Sequence, residues 1–592
     1  MMQKRTKRIV VYGLTAAVLV LGTFLGYRQI CPPQAPRDFQ ENSSLTLADV
    51  AGQTEPSMNM MLSHLKIMSR QMHVAGSDAN RQVHDYLVQQ LAAMGYMPQT
   101  EAYQLTPQQI FEIERTHRNH QDDVYDEQEI RDYAAMGDAP TLDIQNVLVH
   151  IPAPQAQGAV LVMAHYDSVK FGPGASDDLI SVTALMETLR TLNTANMKND
   201  LYVLFTDGEE QGLLGAACFV DSHPELKEML SLVVNVESRG QRGALLMFET
   251  TANNQAMIDL YRQGVPVPVS FSIATSVYQM MQNDTDLSEF MLDGYAGLNF
   301  ACIEGAEVYH TENDTFEGID RNTVYHYLQT TSGFVDYLCR ADISAVAGSQ
   351  QDAVFFPLLQ GNLITMGDAT AKGLAWGSAA LACAWIAYLL IARKISGKAL
   401  LKTMGIQLGM MAACGLVSFL IVKVASSVAH LSTTRDFLAW PFATPLFLIL
   451  LAVSVIVGTW ILLRHGRKQN EPLSMLAGMM PLLIVGVVGT ALAFHAASYL
   501  FSLPLGLLLV VSVIALFAQG KGTYLRALGA ASLVIGGLFT LLLFTPIVYL
   551  VYVALALPMA PAAIALAGIP LSICAAYACL FMAGGSPEPA LA

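Results

Sequence analysis

Acidic residues are distributed very unevenly along this chain, and their distribution limits what it can fold into. Of its 48 Asp and Glu residues, only Asp436, Glu471 and Glu588 lie beyond Gly373. Apolar runs of about 20 residues, the length that crosses a bilayer, follow one another through this C-terminal part. A single soluble domain is therefore excluded. The sequence predicts an acidic soluble half followed by a membrane-spanning half.

Residues 1–27 have the composition of a membrane anchor. The basic segment MMQKRTKR precedes the apolar run IVVYGLTAAVLVLGTFLGY, which is long enough to cross a bilayer as one helix. A cleaved signal peptide is the alternative, but no small-residue cleavage site of the A-x-A type follows. The basic flank predicts a cytoplasmic N-terminus, with the residues after the anchor on the exported side.

Residues 373–592 are predicted to form an all-helical membrane domain with seven or eight spans. The spans are expected near 373–392, 403–425, 440–463, 473–497, 500–517 and 525–544, with one or two more in 545–584. Lysine and arginine are concentrated in alternate connections, as expected for a cytoplasmic N-terminus. His495 falls in an apolar run, and is interpreted either as an intramembrane polar site or as a packing residue.

The soluble half, residues 46–345, has the pattern of an α/β layered domain with a mostly parallel central sheet. Apolar runs such as GAVLVMAHYD, LYVLFTD and SLVVNVES alternate with segments of helical periodicity. Polar linkers are predicted on either side, at 28–45 and 346–372. Ligands of such sheets bind beyond the carboxyl ends of the strands, so the residues that follow these runs are the candidates for a functional site.

Composition excludes some classes of partner and site. A net charge of −15 argues against nucleic acid, because phosphates need a basic face. The eight cysteines have no CxxC spacing and are interpreted as packing residues. The acidic segment 117–129 is predicted to be a solvated insertion, with a metal site at His117 and His120 as the alternative.

Histidine and carboxylate side chains follow successive predicted strands. In chain order they are His165 and Asp167, then Asp177 and Asp178, Glu209 and Glu210, Glu237, and lastly His310 and Asp314 with the neighbouring Tyr309. Two histidines and several carboxylates are the ligands of a pair of divalent cations, and imidazole favours zinc. Two such ions activate water and polarise a carbonyl, so the set indicates hydrolysis. Taken singly, the Glu pair could be a solvated turn and an Asp could be a helix cap.

Five motifs in this order carry a family resemblance. They are HYDS, GASDD, DGEEQGLLG, NVESRG and YHTENDT, and they resemble those of peptidase family M28, the co-catalytic dizinc aminopeptidases. The resemblance covers residues 46–345. Further stretches, ESRGQRGALLMFET, NDTDLSEF and GLNFACIEGAEVYHT, are similar to the membrane-anchored branch of that family, which includes the endoplasmic-reticulum metallopeptidase and the vacuolar membrane protease.

The resemblance implies a zinc-exopeptidase-like fold and five ligands for two Zn²⁺ ions. Asp177 would bridge the ions, His165 and Glu237 would complete one site, and Glu210 and His310 would complete the other. Many soluble members have aspartate where Glu237 stands, and the longer side chain changes the reach of this ligand.

Three further roles follow from the same resemblance. Glu209 would be the general base and Asp167 would hold the His165 tautomer. Tyr309 is a candidate for stabilising the tetrahedral intermediate.

The predicted function is a membrane-anchored dizinc exopeptidase, in particular an aminopeptidase. Its expected partners are a peptide substrate and the lipid bilayer, with no nucleic acid, and no oligomeric state is predicted. The expected location is a bacterial cytoplasmic membrane with the peptidase domain outside. One alternative is a transporter or receptor whose exported domain binds peptide or metal without turnover. By the same resemblance, carboxypeptidase and glutaminyl-cyclase chemistry also remain open.

Overall fold

A computed structural model describes residues 2–117, 128, 140–278, 283–468 and 472–583. The chain divides into two units. One is formed by Met1–Ile30 together with Asp368–Ala592, and the other by Cys31–Gly367. We call the first the membrane unit and the second, after the family that its sequence resembles, the peptidase unit.

The peptidase unit is built on a seven-stranded sheet in the order β1-β2-β4-β3-β5-β7-β6. The strands are β1 (Gln99–Leu105), β2 (Leu142–Ile151), β3 (Gly158–His165), β4 (Asn199–Thr206), β5 (Leu230–Ser238), β6 (Leu246–Thr250) and β7 (Gly297–Cys302). The four central strands β4, β3, β5 and β7 run parallel, and antiparallel strands lie at both edges. The predicted α/β fold with a mostly parallel central sheet is confirmed.

Both faces of this sheet are covered, which explains the continuous apolar runs of the central strands. Along β3, Val160 and Val162 pack in the larger hydrophobic cluster, whereas Leu161 and Met163 pack in the cluster on the opposite face. The alternation follows from the two-residue period of a strand.

Helices and short helical turns form the layers on either side of the sheet. The α-helices are Met58–Met68, Asp78–Ala93, Pro107–Glu114, Leu179–Thr191, Leu214–Ser222, Gln255–Gly264, Ser272–Tyr278, Asp286–Leu292, Arg321–Arg340 and Ser344–Gly348. The first two begin after Ser57 and Ser77, whose side chains accept hydrogen bonds from the backbone N–H groups of Met60 and Asn80. Serine at this position satisfies a donor that has no partner within the helix.

Two segments differ from the sequence prediction. Strand β1 was not predicted, because it is a largely exposed edge strand without an apolar alternation. The stretch 346–372, predicted as a linker, contains an antiparallel pair, β8 (Ala353–Pro357) and β9 (Leu363–Gly367). Strand β8 is fully buried. Its backbone N–H groups donate to side chains that lie about 80 to 100 residues earlier in the chain, Asn254 and Ser272.

Most of the predicted insertion 117–129, including His120, lies outside the described residues. His117 is described, and its Nε2 lies 3.0 Å from Oε1 of Glu289. This histidine therefore has a carboxylate neighbour on the helix Asp286–Leu292.

Among the described residues, eight helices are long and apolar enough to cross a membrane. They are Arg8–Arg28, Asp368–Ile391, Gly397–Val428, Ala443–Lys468, Pro472–Ala493, Tyr499–Phe517, Gly522–Leu555 and Leu557–Ala583. The chain is thus an integral membrane protein, and seven of these eight candidate helices follow the peptidase unit. A short helix, Thr434–Ala439, lies in one connection.

His495 is not within a span, contrary to its interpretation as an intramembrane residue. It lies in the short turn His495–Ala497 that separates the helices Pro472–Ala493 and Tyr499–Phe517. Its Nε2 is 3.5 Å from Oδ1 of Asp368, and its side chain is 42% exposed. The apolar run on both sides concealed this break in the sequence.

The last two membrane helices approach each other closely at Gly529. A Cβ atom there would lie 2.2 Å from the backbone nitrogen of Phe581. Small residues allow the backbones of membrane helices to come this near, and van der Waals packing then stabilises the pair.

We expect the peptidase unit to lose stability in acid, because the buried His326 is harder to protonate than a histidine of the unfolded chain. Its Nδ1 accepts a hydrogen bond from the backbone N–H of Leu245, and its Nε2 donates to the carbonyl of Val267, both at 3.0 Å. Burial lowers the pKa of His326 to about 4, whereas the unfolded chain has a histidine pKa of about 6.5. The unfolded state therefore takes up a proton first. The contribution of neutral His326 to the free energy of unfolding is complete above about pH 6.5. The free energy of unfolding then falls by about 3 kcal/mol as the pH decreases towards 4.

Thermal unfolding of the full chain in detergent, followed by circular dichroism between pH 7 and pH 4.5, measures this effect. His326→Gln should start from a lower midpoint at pH 7 and depend less on pH than the wild type. His150→Gln, at a partly exposed site, is the control. An unchanged pH dependence in His326→Gln would show that this histidine does not set the acid sensitivity.

Candidate metal centre

The carboxyl ends of the four parallel strands carry the candidate residues to one edge of the sheet. His165 is the last residue of β3, and Glu237 is the penultimate residue of β5. Glu209 and Glu210 lie in a short helical turn after β4. His310 lies in the loop after β7. Because parallel strands end at a common edge of the sheet, these candidate side chains lie near one another, as the sequence predicts.

Asp177 lies between the two histidines. Its Oδ1 is 3.4 Å from Nε2 of His165, and its Oδ2 is 3.3 Å from Nε2 of His310. Glu237 Oε2 is also 3.4 Å from His165 Nε2, and Glu210 Oε2 is 2.9 Å from His310 Nε2. Two donor trios thus share Asp177, and the ligand atoms of each trio lie within 4.8 Å of one another.

Glu209 stands slightly apart from both trios. A third possible set joins it to His165 and Glu210, but its Oε2 is 4.0 Å from His165 Nε2. The carboxylates of Asp177 and Glu237 lie closer to that nitrogen, each at 3.4 Å. We therefore take Glu209 as a neighbour of the ligand sets and not as a member.

The donor atoms fit a divalent cation. Nε2 of His165, Oδ2 of Asp177 and Oε1 of Glu210 are buried and have no hydrogen-bond partner within the described part of the chain. Each such orphaned group costs about 1–3 kcal/mol, and a cation would satisfy several at once. Imidazole and carboxylate without cysteine form a donor set of the kind found in catalytic zinc sites.

The protein without metal holds these groups at perturbed pKa values. Burial raises the pKa of Glu209 well above its ordinary value, and the carboxylates of Glu237 and Glu210 raise it further against the opposing effect of His165. Burial likewise raises the pKa of Glu210 to about 8. Burial lowers the pKa of His310, but Glu210 and Asp177 outweigh it and bring this pKa to about 10. The closely spaced carboxylates repel one another. The cluster therefore favours bound protons or cations, whose positive charge offsets this repulsion.

Asp167 connects β3 to the turn after β4. Its Oδ1 lies 3.3 Å from Nδ1 of His165. Its two carboxylate oxygens accept hydrogen bonds from the backbone N–H groups of Glu209 and Glu210, at 3.1 and 3.2 Å. One carboxylate thus lies beside the histidine and anchors the turn that carries both glutamates.

The segment from Asp207 to Gly215, which contains this turn, depends on the glycine at its end. A Cβ atom at Gly215 would lie 2.4 Å from both Oδ1 of Asn146 and the carbonyl oxygen of Asp207. Asn146 donates to the Gly215 carbonyl at 2.8 Å and accepts from the backbone N–H of Asp207 at 3.1 Å. The side chain of Asn146, on β2, therefore closes the loop at both ends.

The remaining predicted residues lie beside the trios. Asp314 accepts hydrogen bonds from the backbone N–H groups of Ser176 and Asp177, at 2.8 and 3.1 Å, so it positions the shared carboxylate. Asp178 occupies the N-cap position of the helix Leu179–Thr191, and its carboxylate accepts from the hydroxyl of Ser181.

Tyr309 covers one side of the centre. Its ring stacks on that of His310, with 3.7 Å between the ring centroids. His310 has a φ of 57°, a left-handed conformation that is rare for residues other than glycine and clusters at functional sites.

A row of buried amides that the sequence analysis missed supports Glu237. Asn235 Nδ2 donates to Glu237 Oε1 and to Asn299 Oδ1, both at 3.1 Å. Asn299 Nδ2 in turn donates to Glu249 Oε2 at 3.0 Å. The row crosses β5, β7 and β6 and holds one oxygen of Glu237 while the other faces His165. The two-residue spacing of Asn235 and Glu237 was the available signal, since it places both on one side of a strand.

Comparison with known proteins supports the resemblance. Residues 146–335 match the sequence model of peptidase family M28. Endoplasmic reticulum metallopeptidase 1 of Homo sapiens is 31% identical over 225 residues, which are 37% of this chain and 25% of that protein. The vacuolar membrane protease of Arthroderma otae is 27% identical over 303 residues, 46% of this chain and 29% of the relative. The matched region thus spans less than a third of these relatives.

Among solved structures, an aminopeptidase from Aneurinibacillus sp. strain AM-1 aligns with a TM-score of 0.38 and 15% identity, over 49% of this chain and 95% of that one. The family match covers β3, β4, β5 and β7, together with every residue of the two donor trios. Residues 146–335 thus match peptidase family M28, and the chain is similar to the membrane-anchored branch of that family.

Proposed function

We propose that this protein is a membrane-anchored dizinc exopeptidase that removes N-terminal residues from peptides. The observation that carries the proposal is the pair of donor trios sharing Asp177, with the additional carboxylate of Glu209 beside them. A site that only bound metal or peptide would not need that additional carboxylate.

In this proposal His165, Asp177 and Glu237 hold one ion, and Asp177, Glu210 and His310 hold the other. Zinc bound there supplies Lewis-acid polarisation of the scissile carbonyl and lowers the pKa of water towards neutrality.

The residues of the chain perform the proton transfers and the positioning. Glu209 accepts the proton of the attacking water at a carboxylate oxygen and returns it to the leaving amine. Asp167 keeps His165 in one tautomer and holds the Glu209 backbone in place. The Tyr309 hydroxyl donates a hydrogen bond to the oxygen that becomes negative in the tetrahedral intermediate.

The same proposal includes the orientation of the chain. The basic flank of the first span, the cations Arg393 and Lys394 between the second and third spans, and Lys398 at the start of the third span support a cytoplasmic side for both segments. The peptidase unit, which lies between the first and second spans in the chain, would then be on the exported side.

Turnover with and without chelator tests the proposal on the full chain in detergent. Aminoacyl-arylamides should be hydrolysed, activity should fall to background after chelation, and added Zn²⁺ should restore it. A free peptide should lose its N-terminal residue, while its N-acetylated form should stay intact. Turnover that persists after chelation would contradict the metal mechanism. C-terminal trimming of the acetylated peptide would replace the aminopeptidase with a carboxypeptidase, and release of pyroglutamyl peptides from N-terminal glutamine would replace it with a cyclase.

A further inference from the structure

Arg239 is a cation beside the metal centre for which the mechanism above has no role. It follows β5 directly, two residues after Glu237. Its backbone N–H donates to the carbonyl of Cys302, the last residue of β7, at 2.8 Å. The main chain of Arg239 is therefore held between the two strands that precede the ligands Glu237 and His310.

The side chain of Arg239 lies over the tyrosine that covers the centre. Its guanidinium carbon is 5.5 Å from the ring centroid of Tyr309. The Tyr309 ring in turn stacks on His310, at 3.7 Å between centroids. The same aromatic ring thus neighbours both the cation and a candidate ligand, and a guanidinium is well suited to stack on such a ring.

The guanidinium has no carboxylate partner among the residues that the structure describes. This is unusual for its surroundings, because residues 31–367 contain 44 Asp and Glu but only 16 Lys and Arg. Arg242, three residues further on, shows the contrast. Its Nη2 is 2.5 Å from Oε1 of Glu307, and its Nε is 3.9 Å from Oε1 of Glu304. A half-buried cation left without such a partner can take an anion from the substrate.

The geometry of the guanidinium and the length of a peptide define the anion. Arginine presents two parallel N–H donors that match a carboxylate. In a dipeptide, the free α-carboxylate belongs to the residue directly after the scissile bond, one Cα–Cα step of about 3.8 Å from the residue that supplies the carbonyl. A longer peptide or a C-terminal amide has no charge at that point.

We propose that Arg239 binds the free α-carboxylate of the residue that follows the scissile bond, so that the preferred substrates are dipeptides. The inference rests on the proposed peptidase function and narrows its substrate class.

A matched series of substrates tests this assignment. Leu-Ala, Leu-Ala amide and a leucyl arylamide are compared on the full-length, zinc-loaded protein. The wild type should have a kcat/KM for Leu-Ala about 10- to 100-fold higher than for the amide, the range expected for a charge-assisted contact. Arg239→Gln should remove this preference by raising the KM for Leu-Ala, while arylamide hydrolysis changes by less than about threefold. Arg239→Lys should retain part of the preference.

Arg242→Gln is the matched control, because it removes a neighbouring cation that already has carboxylate partners. It should behave as the wild type. A binding measurement avoids turnover altogether: a Leu-Ala analogue with a reduced, non-hydrolysable CH₂–NH bond should bind the wild type more tightly than its amide by calorimetry, and Arg239→Gln should bind both equally. Unchanged zinc content and thermal midpoint in Arg239→Gln establish that the variant is folded.

Three outcomes test the carboxylate subsite and the peptidase proposal separately. Arylamide turnover without any preference for the free acid overturns the carboxylate subsite and leaves the peptidase proposal intact. An equal loss of kcat on all three substrates in Arg239→Gln also overturns it, and assigns the residue to positioning Tyr309. A wild type that hydrolyses none of the three overturns the peptidase proposal itself, and the carboxylate subsite falls with it.

Discussion

Replacing Glu209 with glutamine is expected to lower kcat by a factor of about 10² to 10⁴, the usual contribution of a general base. The amide has nearly the same size as the carboxylate, but it cannot accept a proton from water and return it to the leaving amine. Because the Glu209 carboxylate is farther from His165 Nε2 than those of Asp177 and Glu237, the zinc content should not change.

The same variant should not be less stable than the wild type when metal is removed. Burial and the neighbouring carboxylates raise the pKa of Glu209 well above its ordinary value, because the folded surroundings disfavour its charged form. A neutral amide relieves that repulsion. The thermal midpoint of the metal-free variant should therefore equal or exceed that of the wild type.

Kinetics on an aminoacyl arylamide, zinc analysis and thermal unfolding together test these expectations. Glu225→Gln, at an exposed site, is the control for loss of a carboxylate and should behave as the wild type. If Glu209→Gln loses zinc while Glu210→Gln keeps it, the roles of the two residues must be exchanged.

Replacing Asp177 with asparagine should remove metal and activity together. Its two oxygens face different histidines, at 3.4 and 3.3 Å, and asparagine keeps only one oxygen and no charge. At least one ion per chain should be lost, and turnover should fall to background. One of the two histidines would then face an amide NH₂ group, which cannot bind a cation.

Zinc-dependent stabilisation measures this loss without reference to activity. A ligand at 100 times its dissociation constant stabilises the folded state by about 2.7 kcal/mol, so zinc should raise the thermal midpoint of the wild type. The rise should be smaller in Asp177→Asn. Asp342→Asn, at an exposed position, should show the full rise. Two retained zinc ions in Asp177→Asn would rule out the bridging role.

Residues that stand at strand ends could be predicted because the backbone imposes simple periods. The apolar runs before His165, Glu209 and Glu237 indicate strands, and parallel strands end at one edge. The convergence of their side chains follows from those two facts. Spacing of two residues also indicates that Asp167 accompanies His165. The separation into a soluble and a membrane half follows equally directly, since charged side chains are too costly to bury in a bilayer.

Contacts between distant segments could not be predicted in the same way. Asp314 accepts a hydrogen bond from the backbone N–H of Asp177, which lies 137 residues earlier in the chain. Glu249 is connected to Glu237 by hydrogen bonds through two asparagines on neighbouring strands. The exposed strand β1 and the buried strand β8 were missed because short strands reveal their burial only when their neighbours are known.

The sequence by itself determined the two-part organisation, the α/β sheet and which residues stand at the carboxyl edge of that sheet. It did so because burial and strand geometry act over a few residues and leave a periodic record. Only the tertiary structure supplied the distances that place Asp177 between the two histidines and Glu209 apart from both donor trios, and only it showed that Arg239 has no carboxylate partner in the described chain. Those facts depend on differences of about an ångström between side chains far apart in sequence, and such distances are set by packing across the whole sheet.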